Sequence, residues 1–228
     1  MAIGSTIRGA SARQVLADHV YDDLMLALVD GRLAADSPLN IDALAREMEI
    51  SQTPIREALA RLEATGLVVR AALRGYRVAP LFTVEELTEL MEAREVLEPD
   101  SAFRACGRAT TELLDQLEQS ISDLRNAPVD GAGESIRPYW EADERFHRLI
   151  AENAGNRFLL AAYTALGGHV QRFRLFGGLG VSDASYAIAE HSVILEAMRA
   201  GDAELARKTM HDHICGVRMR SIADSQQN

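Results

Sequence analysis

Lysine is nearly missing from this chain: Lys208 stands alone, so almost all positive charge is guanidinium. Cysteine is scarce as well. Cys106 and Cys215 lie far apart and form no CxxC pair, which excludes a disulfide framework and fits two free thiols in a reducing cytoplasm. Aromatic residues make up only 5%, which disfavours a β-rich core and favours helix. No apolar run approaches the ~18 residues a transmembrane helix needs. The opening stretch MAIGSTIRGASARQ has no apolar core of the ~7–15 residues that a secretory signal carries. We therefore expect a cytoplasmic chain with no membrane partner.

What is present reads as an ordinary globular protein. Hydrophobic residues are 47% and charged residues 25% of 228, which excludes disorder and collagen-like structure. That length suits one or two domains of ~100–150 residues. The net charge of −10 argues against a nucleic-acid coat protein, but the charge is unevenly spread. Residues 1–80 hold nine arginines against ten acids, whereas 81–228 hold fifteen basic residues against 24 acids. Within 50–80, Arg56, Arg61, Arg70, Arg74 and Arg77 face only Glu57 and Glu63. A small basic island sits in an acidic protein.

The island lies in a patterned segment. Val15, Leu16, Val20, Leu24, Leu28 and Val29 recur at helical spacing, with Gly31 as a stop. Pro38 and Asn40 open a new unit, Asn40 as N-cap, with Ile41, Leu44, Ala45 and Met48 on one face. The next helix starts at Ser51 or Thr53 with Pro54 at or near its first position, and runs to Gly66. Leu67–Arg70 and Tyr76–Ala79 flank Arg74-Gly75 as a hairpin. Two short helices, a tight turn between them and a hairpin after them make the order of a winged helix-turn-helix. Its second helix would enter the major groove N-terminus first, through Ser51, Gln52, Thr53 and Arg56. Hydroxyls and an amide there can reach phosphates or base edges. Arg70, Arg74 and Arg77 would serve the backbone or minor groove. A helical hairpin with scattered surface arginines remains the alternative from pattern alone.

Pro80 marks a boundary, giving units 1–80 and 81–228. Beyond it we expect an all-α antiparallel bundle: helices at about 84–108, with Pro99 able to bend or break the first, then 111–125, 138–152, 156–176, 183–200 and 202–222. Residues 126–137 read as a loop. Gly177-Gly178-Leu179-Gly180 separates two helices and is no phosphate loop. The fold class is thus mostly α, a winged helix-turn-helix followed by a helical bundle.

The polar residues on these helices carry the chemistry. In 138–152 the apolar face is Tyr139, Ala142, Phe146, Leu149 and Ile150, with Glu141, Glu144, Arg145, Arg148 and Glu152 opposite. Asp143 and His147 sit on the inward side, four residues apart, and can share one metal. His191 lies at the centre of the inward face formed by Ala187, Ile188, Ile194, Leu195 and Met198. His213 lies at the centre of Leu205, Ala206, Thr209, Met210 and Val217, while His211 faces solvent. A shared cation would resolve a costly buried carboxylate and three imidazoles together. Hydrogen-bonded core histidines are the other reading of these positions, and His169 competes as a ligand.

Two stretches resemble a known family. Leu44-Ala45-Arg46, the run Ile50-Ser51-Gln52-Thr53-Pro54-Ile55-Arg56-Glu57-Ala58-Leu59, then Leu62, Gly66-Leu67-Val68 and Gly75-Tyr76-Arg77-Val78 resemble the DNA-binding domain of GntR bacterial transcription regulators. The resemblance implies DNA contacts from Arg46, Ser51, Gln52, Thr53, Arg56, Arg74 and the wing glycine Gly75. It departs at Gln52, where the family commonly has Arg, and Asp42 adds a negative charge nearby. Residues 92–99 (EAREVLEP), Asp143-x-x-Phe146-His147, Ala154-Gly155-Asn156, Glu190-His191, Gly201-Asp202 and Met210-x-x-His213-Ile214 resemble the FCD ligand-sensing domain of the FadR-type branch. That resemblance implies a divalent ion on Asp143, His147, His191 and His213, and a small carboxylate effector completing its shell. Arg94 would project toward this pocket, or else pair with Glu98 on the surface. It further implies a homodimer on a palindromic operator, two recognition helices about one DNA turn apart. Imidazole and carboxylate donors suit zinc, with nickel or manganese compatible.

We expect a transcription regulator and not an enzyme. The alternative is a metal-dependent hydrolase built on the same Asp/His site. It lacks an HExxH pattern and an evident general base, since Glu144 points away from Asp143's face, and it gives the DNA-binding segment no task.

Overall fold

The computed structural model describes residues 4–29, 32–71, 75–129, 137–176 and 184–225. The chain divides into two compact units, Met1–Leu81 and Phe82–Asn228. The first holds α1 (Gly4–Val29), β1 (Pro38–Leu39), α2 (Ile41–Glu47), α3 (Gln52–Ala64), β2 (Val68–Ala71) and β3 (Gly75–Val78). Gly31, Arg74 and Gly177–Gly180 lie outside the described residues, as does most of the expected loop at 126–137.

Asn40 caps α2 as expected, its side-chain oxygen accepting from the Ala43 amide at 2.9 Å. Glu49, at φ 54°, turns the chain toward α3. Pro54 falls in the third position of α3, not the first, where its missing amide is still harmless because first-turn amides have no helical partner. Ile55, Ala58, Leu59 and Leu62 are fully buried, and α3 packs on α1 and α2. Gly66 ends the helix at φ +74°, a left-handed conformation that suits glycine after a C-cap. The sheet has the order β1-β3-β2, all antiparallel. β1 was not expected from the sequence. Two residues give no periodicity, and Pro38 is tolerated because β1 is an edge strand.

The second unit holds α4 (Val84–Cys106), α5 (Thr111–Asn126), α6 (Arg137–Asn153), α7 (Arg157–Phe176), α8 (Ala184–Arg199) and α9 (Ala203–Ser225). Thr83 and Glu86 form a reciprocal capping box that starts α4 sharply. Pro99 does not break α4, which runs through it to Cys106. Packing against α6, α7, α8 and α9 outweighs the one lost backbone bond. Leu117, Phe146, Ile194, Met198, Met210 and Ile214 meet in the main core, built from α4, α5, α6, α8 and α9. Leu205, expected on the inward face, is exposed instead. It lies in the first turn of α9, where its neighbour Ala206 takes the fully buried position.

Candidate functional site

The N-terminal unit presents its polar groups outward. Arg46, Ser51, Gln52, Thr53 and Arg56 are all exposed along α2 and the start of α3. Ser51 occupies the N-cap position of α3 without making a side-chain capping bond. Gln52 does not stand alone. Its amide nitrogen donates to Asp42 Oδ1, and its oxygen accepts from Arg56 Nη2 at 3.1 Å. Asp42 thus belongs to a chain of contacts that orients Gln52 and Arg56. Arg46 donates to the Asp42 carbonyl at 3.2 Å. Gly75 adopts φ +79° at the start of β3, and Arg70 is exposed over the Tyr76 ring. Arg77 departs from expectation: it is half-buried and bound to Asp36 through both the carboxylate and the carbonyl. A guanidinium so engaged is a brace inside the unit, not an arm reaching for DNA.

In the second unit the three inward histidines come together. His147 from α6, His191 from α8 and His213 from α9 are all buried, and their donor atoms lie within 4.8 Å of one another. Asp143, also buried, flanks the group. Its Oδ1 is 3.6 Å from His191 Nε2, and it stands outside the tight triad. Phe146 stacks nearly parallel on His191, ring centres 4.0 Å apart, which fixes that ring's plane. His211 is exposed, as expected. His169 lies against Phe82, with ring centres 6.4 Å apart, and does not join the triad.

Carboxylates on other helices set the rings. Nδ1 of His213 is hydrogen-bonded to Glu190 Oε2 at 2.7 Å. Nδ1 of His147 lies 2.6 Å from Glu98 Oε2. A carboxylate beside Nδ1 holds the ring proton there and turns the Nε2 lone pair the other way. The consequence is specific: the two Nε2 atoms face each other at 3.3 Å. Two lone pairs at that separation repel unless a cation or proton lies between them. Burial pushes His213 down to about 4, against the pull of Glu190, so the ring is neutral and ready to donate to a metal. Burial alone would raise the Glu98 carboxyl, but Arg94 and His147 hold it well below the usual carboxylate range. Arg94 Nε donates to Glu98 Oε1 at 2.6 Å. Arg220 grips both oxygens of Glu190, at 2.9 and 3.0 Å. A cleft of about 240 Å³ between α8 and α9 reaches His213, lined also by Glu190, Asp212, Val193 and Thr209.

Three expectations change. Arg94 does pair with Glu98, but in the interior, 3% exposed, not on the surface. Glu144 does not point wholly away to solvent. It is half-buried and accepts from the Tyr163 hydroxyl at 3.0 Å, and burial pushes its carboxyl up. The Asp143 carboxylate stands beside the triad rather than within it. Glu98, Glu190 and Arg220 were missed as site residues. Glu98 was detectable in principle, since it lies one turn from Arg94 and shares its face. Arg220 gave no signal, because its partner is on another helix.

The comparisons follow this division. Residues 16–78 match the model of bacterial regulatory proteins of the gntR family, and residues 89–215, more than half the chain, match the FCD domain. The chain belongs to the GntR family of DNA-binding transcription regulators, with an FCD domain. It is 29% identical over 202 residues to the Paenarthrobacter nicotinovorans protein named "Probable D-xylose utilization operon transcriptional repressor", covering 89% of this chain and 87% of that one. It is 24% identical to the transcriptional repressor RspR of Escherichia coli K12, covering 88% and 86%. The fold matches the solved E. coli McbR/YncC, with TM-score 0.73 and 22% identity, over 93% of this chain and 99% of that one. These relatives are regulators, not enzymes, so the hydrolase alternative falls. Among the described residues no helix is long and apolar enough to cross a membrane.

Proposed function

We propose that residues 1–80 read operator DNA while residues 81–228 sense a small carboxylate through a divalent ion held by His147, His191 and His213, with Asp143 beside them. The observation that carries this is the 3.3 Å approach of two buried imidazole nitrogens, each ring with a carboxylate oxygen within 2.7 Å of its Nδ1. A divalent ion bound there supplies Lewis acidity with positions left for a carboxylate from solution. The protein's own groups do the rest. Glu190 hydrogen-bonds Nδ1 of His213 and Glu98 lies against Nδ1 of His147, Arg94 and Arg220 hold those carboxylates in place, and Phe146 fixes the His191 ring. Arg94 also brings positive charge near the triad, which favours an anionic effector. Glu190 and Asp212 in the cleft between α8 and α9 suit the approach of a cation. Zinc fits three imidazoles and a carboxylate, and nickel or manganese is compatible.

The chain acts as a C2 homodimer on a palindromic operator. Five residues separate β3 from the first turn of α4. Effector binding that shifts helices of the bundle therefore has little linker to absorb it. Coupling of about 1–3 kcal/mol, or ~5–150-fold in operator affinity, is the usual scale.

Elemental analysis tests the metal. His213→Ala purifies with one ion fewer per chain than wild type, and His169→Ala with wild-type content. Equal content in the two overturns the site. A panel of organic acids then tests sensing. At least one acid raises the melting temperature in the metal-loaded protein only, and the same acid changes operator affinity. If every such acid leaves operator affinity unchanged, the ion is structural and the sensing reading fails.

A further inference from the structure

A second cluster of metal-ligating groups lies on another face of α9. His211 and Cys215 are four residues apart, so they project side by side from successive turns. Cys215 Sγ is 3.7 Å from His211 Nδ1 and 3.8 Å from Nε2. From α4, Glu95 places Oε1 3.5 Å from the same sulfur. One donor atom from each of the three lies within 4.8 Å of the other two. Nothing in the histidine centre accounts for this arrangement, since His211 is exposed and turned about 200° around the helix from His213. The donor set also differs in kind. It combines a thiol, an imidazole and a carboxylate, and the histidine centre has no sulfur.

We propose that Glu95, His211 and Cys215 form a second, thiolate-containing site for a borderline-soft divalent cation of the zinc, cobalt and cadmium class. Three protein ligands with the remainder from solvent is an ordinary arrangement for such ions. Glu95 is already anchored, its oxygens 3.2 and 3.4 Å from Arg218 Nη1, so the carboxylate needs little ordering. Arg218 must share Glu95 with the ion, and its partial exposure allows its guanidinium to turn toward water. Binding forms the metal–sulfur bond and breaks the S–H bond, and the proton leaves to solvent. The bound ion ties α4 to α9. The second site is half-open where the first is buried, so it exchanges with the surrounding metal pool more readily.

Cobalt(II) titration of the full chain tests this, because cobalt bound to a thiolate shows a sulfur-to-cobalt charge-transfer band that imidazole and carboxylate sites lack. Wild type gives the band and takes up two ions per chain. His213→Ala keeps the band and takes up one. Cys215→Ser loses the band, and Cys106→Ser, which removes the buried thiol, keeps it. His211→Ala weakens cobalt binding at this site by at least the roughly tenfold that loss of an outer partner costs. Circular dichroism confirms that each variant is folded. A wild-type chain that takes cobalt without the band, or a band that persists in Cys215→Ser, overturns the proposal. Either result leaves the histidine centre to be judged by its own metal content.

Discussion

Polar side chains do opposite work in the two units. In the N-terminal unit they are solvated: Asp42, Gln52 and Arg56 form an exposed relay along the start of α3. In the helical unit they are buried: Arg94, Glu98, His147, His191 and His213 are each at most 4% exposed. Solvated groups cost the fold little and stay free to exchange water for DNA. Buried ones are tolerated only when each is matched. A mutation in the first region should therefore register in binding, and one in the second should register in stability first.

The strongest test of that contrast is Glu98→Ala. It strands Arg94 and releases His147, so we expect a loss of about 3–5 kcal/mol. Urea unfolding followed by Trp140 fluorescence reports it, because the chain's single tryptophan packs, partly buried, against a core cluster of the helical unit. A loss below 1 kcal/mol would show that the pair is not buried as described. On the other side, Arg56→Ala should weaken binding to a duplex selected by wild type from a random library by about 1–3 kcal/mol, with stability unchanged. If melting falls and binding does not, the regions are not so different. A finer distinction comes from Arg70→Ala. If this exposed residue touches one phosphate, the salt dependence of DNA binding should shallow by about one unit, for cognate and random duplexes alike. The smallest effect belongs to Asp18→Asn. Its 2.6 Å bridge to Arg61 joins two half-exposed side chains, so thermal melting should report under about 1 kcal/mol.

The same contrast explains what the sequence made legible. Local signals were strong where a chemical group acts on its own segment. Asn40 announces a cap, Gly66 a stop, and Ser51 the start of α3, because each depends on neighbours within a turn. The inward faces were legible too, since burial follows from 3.6-residue periodicity, and His147, His191 and His213 fell where that period put them. What periodicity cannot show is what meets across helices. Glu190 and Arg220 are joined only by the packing of α8 on α9, and Arg77 is taken by Asp36 41 residues away. Glu144 was misjudged for the same reason. Helical phase put it off the inward face that Asp143 shares, and the arrival of Tyr163 from α7 makes that side half-buried. β1 was missed because two residues carry no pattern of their own.

The placement of ligands along the chain has a consequence for synthesis. His147 and His213 stand 66 residues apart, and Glu95 and Cys215 stand 120 apart. A nascent chain leaving the ribosome exposes α4 long before α9 exists to cover it. Until α9 docks, the histidine triad is short of one ring, and the Glu95 carboxylate has neither Cys215 nor Arg218. Closure of so distant a contact is slow compared with local helix formation. A ribosome-bound chain that ends before His213 holds an unfinished centre. On the proposed metal reading, capture by the triad is an event of the completed chain and would report that α9 has docked.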